Sequence, residues 1–367
     1  MNIGVDAHIL GKGKGGVERY VAELCYRLPR LAPEDSFYFF INKAYRPLEQ
    51  PANVCWIRLT ISDPLIQRSL ILPWLIFKLK LDLIHTQRIA PLWSRCPVIV
   101  SIHDILPLTE PGDYIGLRHK LIRALTGWTT KQARTLLTVS NTVRQEIEEN
   151  LPSAKGKIKA VYNGVDHAFF SQGKVEARPV EDEYLLYTGA IEPRKNLEIL
   201  LEAYAEVCSQ MTRKLTLILA GMTRDQAYAA KLSSLAEKCQ QNGRIIFTGF
   251  LTEEQYLQYL QSASIFLAPS RGEGFDLPPL EAMACQVPVI CSDIPVHREL
   301  FNNAALFFLT DSAPDLAKNI LTLYKNNELR TKLQRQGTSC AARFSWEKTA
   351  CQISRIYREN GAARTDL

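Results

Sequence analysis

Short apolar runs alternate with longer amphipathic stretches along most of this chain. The runs end at Gly, Asn or Asp, and the stretches between them carry apolar residues at helical spacing. This alternation predicts strand and helix units on parallel sheets, so the expected fold class is α/β. The predicted strands lie at 2–5, 36–41, 54–58, 83–85, 98–102, 135–138 and 158–161, and again at 184–187, 216–220, 245–248, 265–268, 289–291 and 305–308.

Two complete sets of strands indicate two Rossmann-like domains. A length of 367 residues agrees, because such a chain is long for one hydrophobic core. Residues 163–182 open with turn residues and lose the apolar periodicity, which predicts a linker. The last amphipathic stretch, 345–360, opens with Ser345 as a candidate helix N-cap, and its pattern leaves open which domain it packs against.

Composition excludes several classes of protein. Hydrophobic residues make up 46% and charged residues 22% of the chain, which is ordinary for a folded soluble protein and excludes disordered and collagen-like classes. The nine cysteines form no Cys-x-x-Cys pair and no cluster with histidine at zinc spacing. We therefore expect a reducing compartment, the cytoplasm, and no metal site.

No apolar run reaches the roughly 18 uncharged residues that a membrane-spanning helix needs. The closest stretch, residues 65–79, is interrupted by Arg68, Pro73 and Lys78. It predicts either a core helix or a surface that contacts lipid.

The net charge of +6 is unevenly distributed. Residues 1–170 hold 22 Lys and Arg against 15 Asp and Glu, whereas the remainder holds 22 against 23. The excess is too small to predict nucleic-acid binding. It places any attraction to an anionic membrane or acceptor on the first domain, with ordinary solubility as the alternative.

The segment 270–284, SRGEGFDLPPLEAMA, carries the strongest chemical signal. It follows a predicted strand, and Pro278 and Pro279 mark the first turn of a helix. Free amides at a helix N-terminus predict an anion site suited to phosphate. Glu273 and Glu281 are expected to face one crevice and accept hydrogen bonds from sugar or ribose hydroxyls. In the alternative, Glu281 only complements its helix dipole and Glu273 is solvated.

A similar strand, glycine loop and helix occur at 187–197, YTGAIEPRKNL. Arg194 and Lys195 lie in that loop. A diphosphate there would meet the planar guanidinium of Arg194, which can donate two parallel hydrogen bonds, and the compact ammonium charge of Lys195. Asn196 is expected to cap the helix that follows. Without its context, the same Pro-Arg-Lys would be an ordinary surface turn.

The loop 11–20, GKGKGGVERY, satisfies the G-x-G-x-x-G pattern with Gly11, Gly13 and Gly16. A dinucleotide site would also want an acidic residue after the next strand, but Asn42 and Lys43 stand there. The loop therefore predicts only a flexible backbone that can approach a phosphate or close over a ligand.

Polar residues end two predicted strands of the first domain. His85 ends one strand, and His103 and Asp104 follow another. A histidine at the carboxyl edge of a sheet is expected either to face a ligand or to be satisfied by backbone groups. No third metal ligand lies at helical or strand spacing from these residues.

Taken together, these segments resemble the retaining glycosyltransferases of family 4, which are group 1 glycosyltransferases with the GT-B fold of two Rossmann-like domains facing across a cleft. The matching segments are GGVERY (15–20), HD (103–104), TVSNTVRQEI (138–147), VYNGVD (161–166), YTGAIEPRKNL (187–197), FTGFLTEEQY (247–256), SRGEGFDLPPLEAMACQVPVICSD (270–293) and FSWEKTA (344–350).

The resemblance implies transfer of a hexose from a nucleoside-diphosphate sugar to an acceptor hydroxyl, with retention at the anomeric carbon and without metal or cofactor. Residues 1–165 would form the acceptor side, with 345–367 packing back on it, and 170–344 would bind the donor. The EPRKN form favours GDP-mannose over UDP-glucose. A saccharide, a glycoside or a lipid-linked saccharide would be the acceptor, in polysaccharide or glycolipid biosynthesis, with peripheral membrane contact on the inner face as an option.

The resemblance also implies roles for individual residues. Arg194 and Lys195 match the diphosphate clamp, Glu273 and Glu281 match the two glutamates that contact the donor sugar and the ribose, and His103 matches the histidine at the reacting centre. The remaining positions are donor-binding Gly15, Gly16, Gly189, Phe250, Leu251, Gly274, Phe275, Asp276 and Leu277, and acceptor-side Asp104. Asp276 departs from the family, where glycine is common. We keep two alternatives: a non-catalytic sugar-nucleotide-binding subunit, and an NAD-dependent oxidoreductase using the loop at Gly11.

Overall fold

The computed structural model describes residues 1–13, 15–61, 63, 66–109, 117–171, 173, 178–211, 213–240 and 243–361. The chain divides into two compact units. Unit 1 contains Met1–Gly164 and the chain from Trp346 onward, and unit 2 is Val165–Ser345.

Unit 1 is built on a parallel sheet. Its strands are β1 (Asn2–Asp6), β2 (Ser36–Asn42), β3 (Val54–Leu59), β4 (Leu83–Gln87), β5 (Val98–Ile102), β6 (Thr135–Thr138) and β7 (Ile158–Ala160). They lie in the order β3-β2-β1-β4-β5-β6-β7. The strand order reverses between β1 and β4, which is the switch point at which open α/β sheets bind ligands.

The helices of unit 1 are α1 (Gly16–Leu31), a π-helical turn at Gln67–Ile71 leading into α2 (Leu72–Lys78), α3 (Leu106–Thr109), α4 (Leu117–Gln132), α5 (Asn141–Asn150) and the C-terminal helix (Trp346–Gly361). The C-terminal helix packs on α1, where Arg27 Nε donates to Glu347 Oε1 at 2.9 Å. In the part of the chain that the structure describes, no helix is both long and apolar enough to cross a membrane.

Unit 2 repeats the architecture. Its strands are β8 (Glu183–Thr188), β9 (Leu215–Ala220), β10 (Arg244–Gly249), β11 (Ile265–Ala268), β12 (Val289–Ser292) and β13 (Leu306–Phe308), in the parallel order β10-β9-β8-β11-β12-β13. Its helices are α6 (His167–Phe170), α7 (Leu197–Gln210), α8 (Gln226–Cys239), α9 (Glu253–Ser262), α10 (Leu277–Ala284), α11 (Pro295–Phe301), α12 (Ala313–Lys325) and α13 (Asn327–Ala341). The switch point lies between β8 and β11.

The predicted fold class is confirmed, since both units are α/β with parallel sheets. The predicted strands match the observed ones to within two residues at each end. Strands buried on both faces are nearly continuous apolar runs, which is why the sequence pattern located them. The largest difference at one strand end is in β4, which runs two residues past its predicted end because the buried polar residues Thr86 and Gln87 continue the strand.

The expected linker at 163–182 is wrong over its first part. Residues from Val165 belong to unit 2, where Val165 pairs with Ser345 and α6 begins. The Asp166 side chain accepts the Phe169 N–H as the cap of α6, and Phe170 is buried. Residues 172 and 174–177 of the expected linker lie outside the described residues.

The stretch 65–79 forms the core helix that was one of its two predicted alternatives, and contact of this stretch with lipid stays a prediction. Leu72, Leu75 and Ile76 of α2 are buried in the core of unit 1, as expected for a core helix. The opposite face leaves Trp74 and Phe77 exposed, by 53% and 59%. Residue 65 lies outside the described residues.

Candidate active site

The two loops of unit 2 that the sequence singled out follow β8 and β11, which are hydrogen-bonded neighbours at the switch point. Because the carboxyl ends of adjacent parallel strands meet at one sheet edge, the loops lie side by side. The loop after β8 also lies close to the loop after β9, at Gly189 and Gly221. A Cβ on Gly221 would lie 1.8 Å from the Gly189 carbonyl oxygen, so a side chain there would displace the loop.

Arg194 and Lys195 converge on Glu273 in this loop pair. Lys195 Nζ lies 2.5 Å from Glu273 Oε1, and Arg194 Nη1 lies 2.6 Å from Oε2. Arg194 also donates to the Gly272 carbonyl at 2.6 Å and to Glu192 Oε1 at 2.7 Å. The Glu273 side chain is only 9% exposed. The alternative of a solvated Glu273 is therefore wrong.

These contacts keep the cluster ionised. Burial raises the pKa of the Glu273 carboxyl, but Arg194 and Lys195 outweigh burial and hold that pKa far below its usual value. Burial lowers the pKa of Arg194, and Glu273 and Glu192 outweigh it and hold that pKa above its usual value. At neutral pH the loop pair thus presents two cations on a single buried carboxylate, beside the N-terminus of α10.

Asp276 lies on the other side of Lys195. It precedes α10 in a left-handed conformation, with φ 66° and ψ 79°. One carboxylate oxygen is 3.6 Å from Lys195 Nζ, and the other accepts from His297 Nε2 at 3.1 Å. His297 is fully buried on α11.

Glu281 is held separately from the cation cluster. It is the fifth residue of α10, is buried, and accepts a hydrogen bond of 2.5 Å from the Tyr256 hydroxyl. Tyr256 belongs to α9, the helix before β11. The positions of both glutamates are thus set by partners distant in sequence, Glu273 by the β8 loop and Glu281 by α9.

The other predicted donor-site residues differ in exposure. Phe250, just after β10, is 72% exposed, and Leu251 is half-buried. Phe275 is buried edge-to-face against Phe344, with ring centroids 5.8 Å apart, and Leu277 is the buried first residue of α10. Gly274, directly before Phe275, is also buried. The phenyl ring of Phe275 therefore serves packing, so any ligand contact would come from backbone.

Asn196 does not cap α7 as expected. It occupies the N-cap position, but in a left-handed conformation with φ 54°, and its side chain donates to the Thr310 carbonyl at 2.8 Å. The Tyr228 hydroxyl instead accepts the Leu197 N–H at 2.9 Å. The sharp turn that carries Arg194 and Lys195 to the strand edge uses Asn because this residue tolerates the left-handed region.

In unit 1, His103 lies at the carboxyl end of β5 and is half-buried. Its Nε2 is 3.1 Å from Gln87 Oε1, and its ring stacks edge-to-face on Tyr20 at 4.8 Å. Burial, with a further contribution from Arg88, lowers the pKa of His103 to about 3, so the imidazole is neutral at physiological pH. Because Nε2–H donates to the Gln87 amide oxygen, Nδ1 carries the lone pair that can accept a hydrogen bond. Asp104 is paired with Arg88 at 3.1 Å.

A buried hydrogen-bonded network supports this edge of unit 1. His85 Nδ1 lies 2.6 Å from the Tyr357 hydroxyl of the C-terminal helix, and His85 Nε2 lies 2.7 Å from Ser101 Oγ. The Tyr20 hydroxyl is 2.8 Å from the same Ser101 oxygen. Burial lowers the pKa of His85 to about 3, with a smaller contribution from His103. His85 is therefore satisfied inside the protein, but by the side chains of Tyr357 and Ser101 and not by the backbone groups that the alternative expected.

Gly15 and Gly16 lie at the start of α1. Gly15 has φ 64° and directly precedes the helix, which begins at Gly16. Gly11 N–H donates to Glu18 Oε1 at 2.5 Å and so closes the loop on its own helix. Lys14 lies outside the described residues. Across the described ranges, no three His, Cys, Asp or Glu side chains are placed to hold a metal ion.

Family models cover both units. The model for glycosyl transferases group 1 matches residues 170–339, and the model for glycosyltransferase family 4 matches residues 14–169. The chain belongs to the group 1 glycosyltransferases.

Two curated relatives of this glycosyltransferase are mannosyltransferases by name. O-antigen chain mannosyltransferase B of Escherichia coli is 28% identical over 71% of this chain and 70% of its own length. Serotype-specific mannosyltransferase WbdA of Escherichia coli is 26% identical over 68% of this chain, which spans only about a third of that protein, 32% of its length.

Solved structures resemble this glycosyltransferase over nearly its whole length. Sucrose-phosphate synthase from Thermosynechococcus elongatus has a TM-score of 0.82 at 20% identity and covers 99% of this chain and 100% of its own. Anabaena HepE in complex with UDP-glucose has a TM-score of 0.75 at 18% identity and covers 98% of this chain and 100% of its own. These likenesses support the GT-B class of fold.

Sequence reasoning about the glycosyltransferase missed His297, Gln87 and Tyr20. Gln87 had a usable signal, since it continues a polar run, His85 to Gln87, at the end of a strand. His297 had none, because it lies on a helix 21 residues after Asp276 and meets it only through the fold.

Proposed function

We propose that this glycosyltransferase transfers a hexose from a nucleoside-diphosphate sugar to an acceptor hydroxyl, with retention at the anomeric carbon and without a metal ion. The observation that carries the proposal is the pair of cations, Arg194 and Lys195, on the buried Glu273 beside the start of α10. Unit 2 would bind the donor, and unit 1 would serve the acceptor.

The cluster suits departure of a diphosphate. As the bond from the anomeric carbon to the phosphate oxygen breaks, negative charge builds on the diphosphate. Arg194, Lys195 and the positive end of the α10 dipole stabilise that charge more than the charge of the intact donor, which lowers the barrier. Because Glu273 already fixes both cations, little reorganisation is required when the donor binds.

Retention follows from attack on the face that the diphosphate leaves. The acceptor oxygen forms its bond to the anomeric carbon, and its proton passes to the departing phosphate oxygen. No carboxylate nucleophile is invoked. Glu273 is assigned to hold the cations and the donor sugar, Glu281 to accept from ribose hydroxyls, and His103 to accept a substrate hydroxyl at its unprotonated Nδ1.

The names of relatives bear on the donor. Mannosyltransferases among the relatives favour GDP-mannose, and the HepE complex with UDP-glucose keeps UDP-glucose as the second candidate. A role in O-antigen or other polysaccharide synthesis is supported by the same relatives, with a saccharide or lipid-linked saccharide as acceptor.

The test is a screen of GDP-mannose and UDP-glucose for thermal stabilisation and for transfer or hydrolysis, on the wild type and on Lys195→Ala. Ligand binding shifts melting by mass action, so the true donor raises Tm. Lys231→Ala is the matched control, because Lys231 forms an exposed ion pair with Glu198 in the same unit. Turnover unchanged by Lys195→Ala would overturn the assignment, and stabilisation by NAD instead would support an oxidoreductase.

Peripheral membrane contact is a separate proposal, supported by the exposed face of α2. Trp74 and Phe77 lie under basic groups, with Lys78 Nζ 4.6 Å from the Trp74 ring and the Arg95 guanidinium 5.0 Å from the Phe77 ring. Aromatic rings beside cations suit an anionic bilayer interface on the cytoplasmic side. Cosedimentation with anionic but not zwitterionic vesicles, reduced in Trp74→Ala/Phe77→Ala, is expected; equal recovery of wild type and variant would refute it.

A further inference from the structure

The residue that departs from the family pattern, Asp276, is held in an unusual backbone conformation. Its φ of 66° and ψ of 79° lie in the left-handed region, which is natural for glycine and costs conformational energy in residues with a Cβ, least in Asn and Asp. Replacing glycine by aspartate here costs conformational energy. Such strain persists only where surrounding contacts impose it, so the contacts of the side chain explain the residue.

Both oxygens of the Asp276 carboxylate are directed at cationic partners. Oδ2 accepts from His297 Nε2 at 3.1 Å, Oδ1 is 3.6 Å from Lys195 Nζ, and the side chain is 5% exposed. The carboxylate therefore does not present a free negative charge to an incoming diphosphate.

His297 is anchored on the opposite side. Its ring is fully buried, and Nδ1 is 3.0 Å from the carbonyl oxygen of Ser292, the last residue of β12. With an acceptor at each ring nitrogen, the imidazole carries two protons. Burial lowers its pKa, but hydrogen bonds to Asp276 and Cys291 outweigh burial and raise the pKa to about 10. The Ser292 hydroxyl donates to the Ser270 carbonyl at 2.5 Å, which ties β12 to the same loop.

We propose that Asp276 and His297 form a positioning pair. His297 is held by the end of β12 and holds Asp276, and Asp276 in turn holds Lys195. The pair thus fixes the position of the diphosphate-binding cation and of the first turn of α10. The pair rests on the proposed function, because the cation it positions is the one assigned to the leaving diphosphate. Without Asp276, the Nζ of Lys195 is held by Glu273 on one side only, and His297 keeps a buried charge without its carboxylate.

The test compares Asp276→Asn, His297→Gln and the double variant. Asn keeps the shape of the side chain and tolerates the left-handed backbone, but lacks the charge. We expect each single variant to lower kcat by about tenfold to a hundredfold with a smaller change in donor KM, because small misplacement of a group that acts in the transition state is costly. The double variant should be no slower than the slower single variant, since both changes break one interaction.

Asp293→Asn is the matched control. Asp293 lies just before α11 and pairs with Arg298 of that helix at 2.5 Å on the surface, so its loss should leave kcat unchanged. A merely structural pair would lower Tm and leave kcat unchanged below the melting transition, and that result overturns the inference. Multiplicative losses in the double variant also overturn it.

Failure of the inference is distinguishable from failure of the proposed function. If Lys195→Ala and Glu273→Gln abolish transfer while Asp276→Asn keeps wild-type kcat, only the positioning role is refuted. If Lys195→Ala keeps full transfer, the cation assignment itself is refuted. Should His297→Gln fail to fold, Asp276→Gly gives a second measurement, because glycine adopts the same backbone without the pair; wild-type kcat in a folded Asp276→Gly protein overturns the inference.

Discussion

Replacing Glu273 by Gln tests the cation cluster most directly. The substitution keeps the size of the side chain and an oxygen that accepts from one cation, but removes the buried negative charge that both Arg194 and Lys195 contact. Breaking a buried ion pair costs about 3–5 kcal/mol. Because the amide retains one hydrogen bond and Arg194 keeps Glu192 and the Gly272 carbonyl, we expect about 2–3 kcal/mol of lost stability.

The assay combines melting with ligand binding. For a unit of this size, about 2–3 kcal/mol lowers Tm by roughly 4–12 °C. GDP or UDP should restore part of that loss, since a bound diphosphate supplies the negative charge that Arg194 and Lys195 lose with Glu273. Sugar transfer should nevertheless fall by a factor of about 100 or more, because the cations and the donor sugar lose their common anchor.

Glu347→Gln is the control for the charge change. Glu347 is an exposed partner of Arg27, and such surface pairs contribute about 0–1 kcal/mol. The reasoning is refuted if Glu273→Gln melts and turns over like the wild type. It is also refuted if neither GDP nor UDP restores part of the stability that Glu273→Gln loses, because a bound diphosphate would then not contact Arg194 and Lys195.

Three further outcomes are expected. His103→Ala should lower kcat more than it raises donor KM, measured by initial rates, and a pure loss of donor affinity would contradict a role at the reacting centre. His297, faced by Asp276 and Cys291, has a pKa of about 10 in the folded protein against an ordinary 6.5. Its protonation therefore contributes fully to the free energy of unfolding below pH 6.5, and this contribution is lost as the pH rises toward 10. The free energies of unfolding of wild type and His297→Gln, measured by chemical denaturation, should differ most at low pH and converge by about pH 10. Gly221→Ala should destabilise the protein by several kcal/mol because its Cβ would lie 1.8 Å from a backbone oxygen, and an unchanged denaturation midpoint would contradict that geometry.

Local pattern was sufficient for the strands and for the loops that carry chemistry. The strand Ile265–Ala268 is a bounded apolar run, and the prolines after Asp276 announce α10 without knowledge of any other part of the chain. Both signals are local, because a run of adjacent apolar residues indicates a buried strand and a proline at the first turn indicates the start of a helix. The C-terminal helix was visible as an amphipathic stretch, but its pattern alone left open which unit it joins.

The sequence by itself determined that this chain forms two parallel-sheet units, that Arg194, Lys195 and Glu273 lie in loops at strand ends, and that Glu281 lies in the helix that follows its loop. Only the tertiary structure decided that Glu273 is buried under both cations, that Asn196 turns the chain instead of capping it, and that Asp276 is locked to His297. The physical reason is the strand order. Because β11 pairs with β8, residues 78 positions apart come within hydrogen-bond distance, and Arg194 and Lys195 there outweigh burial and hold the pKa of Glu273 far below its usual value.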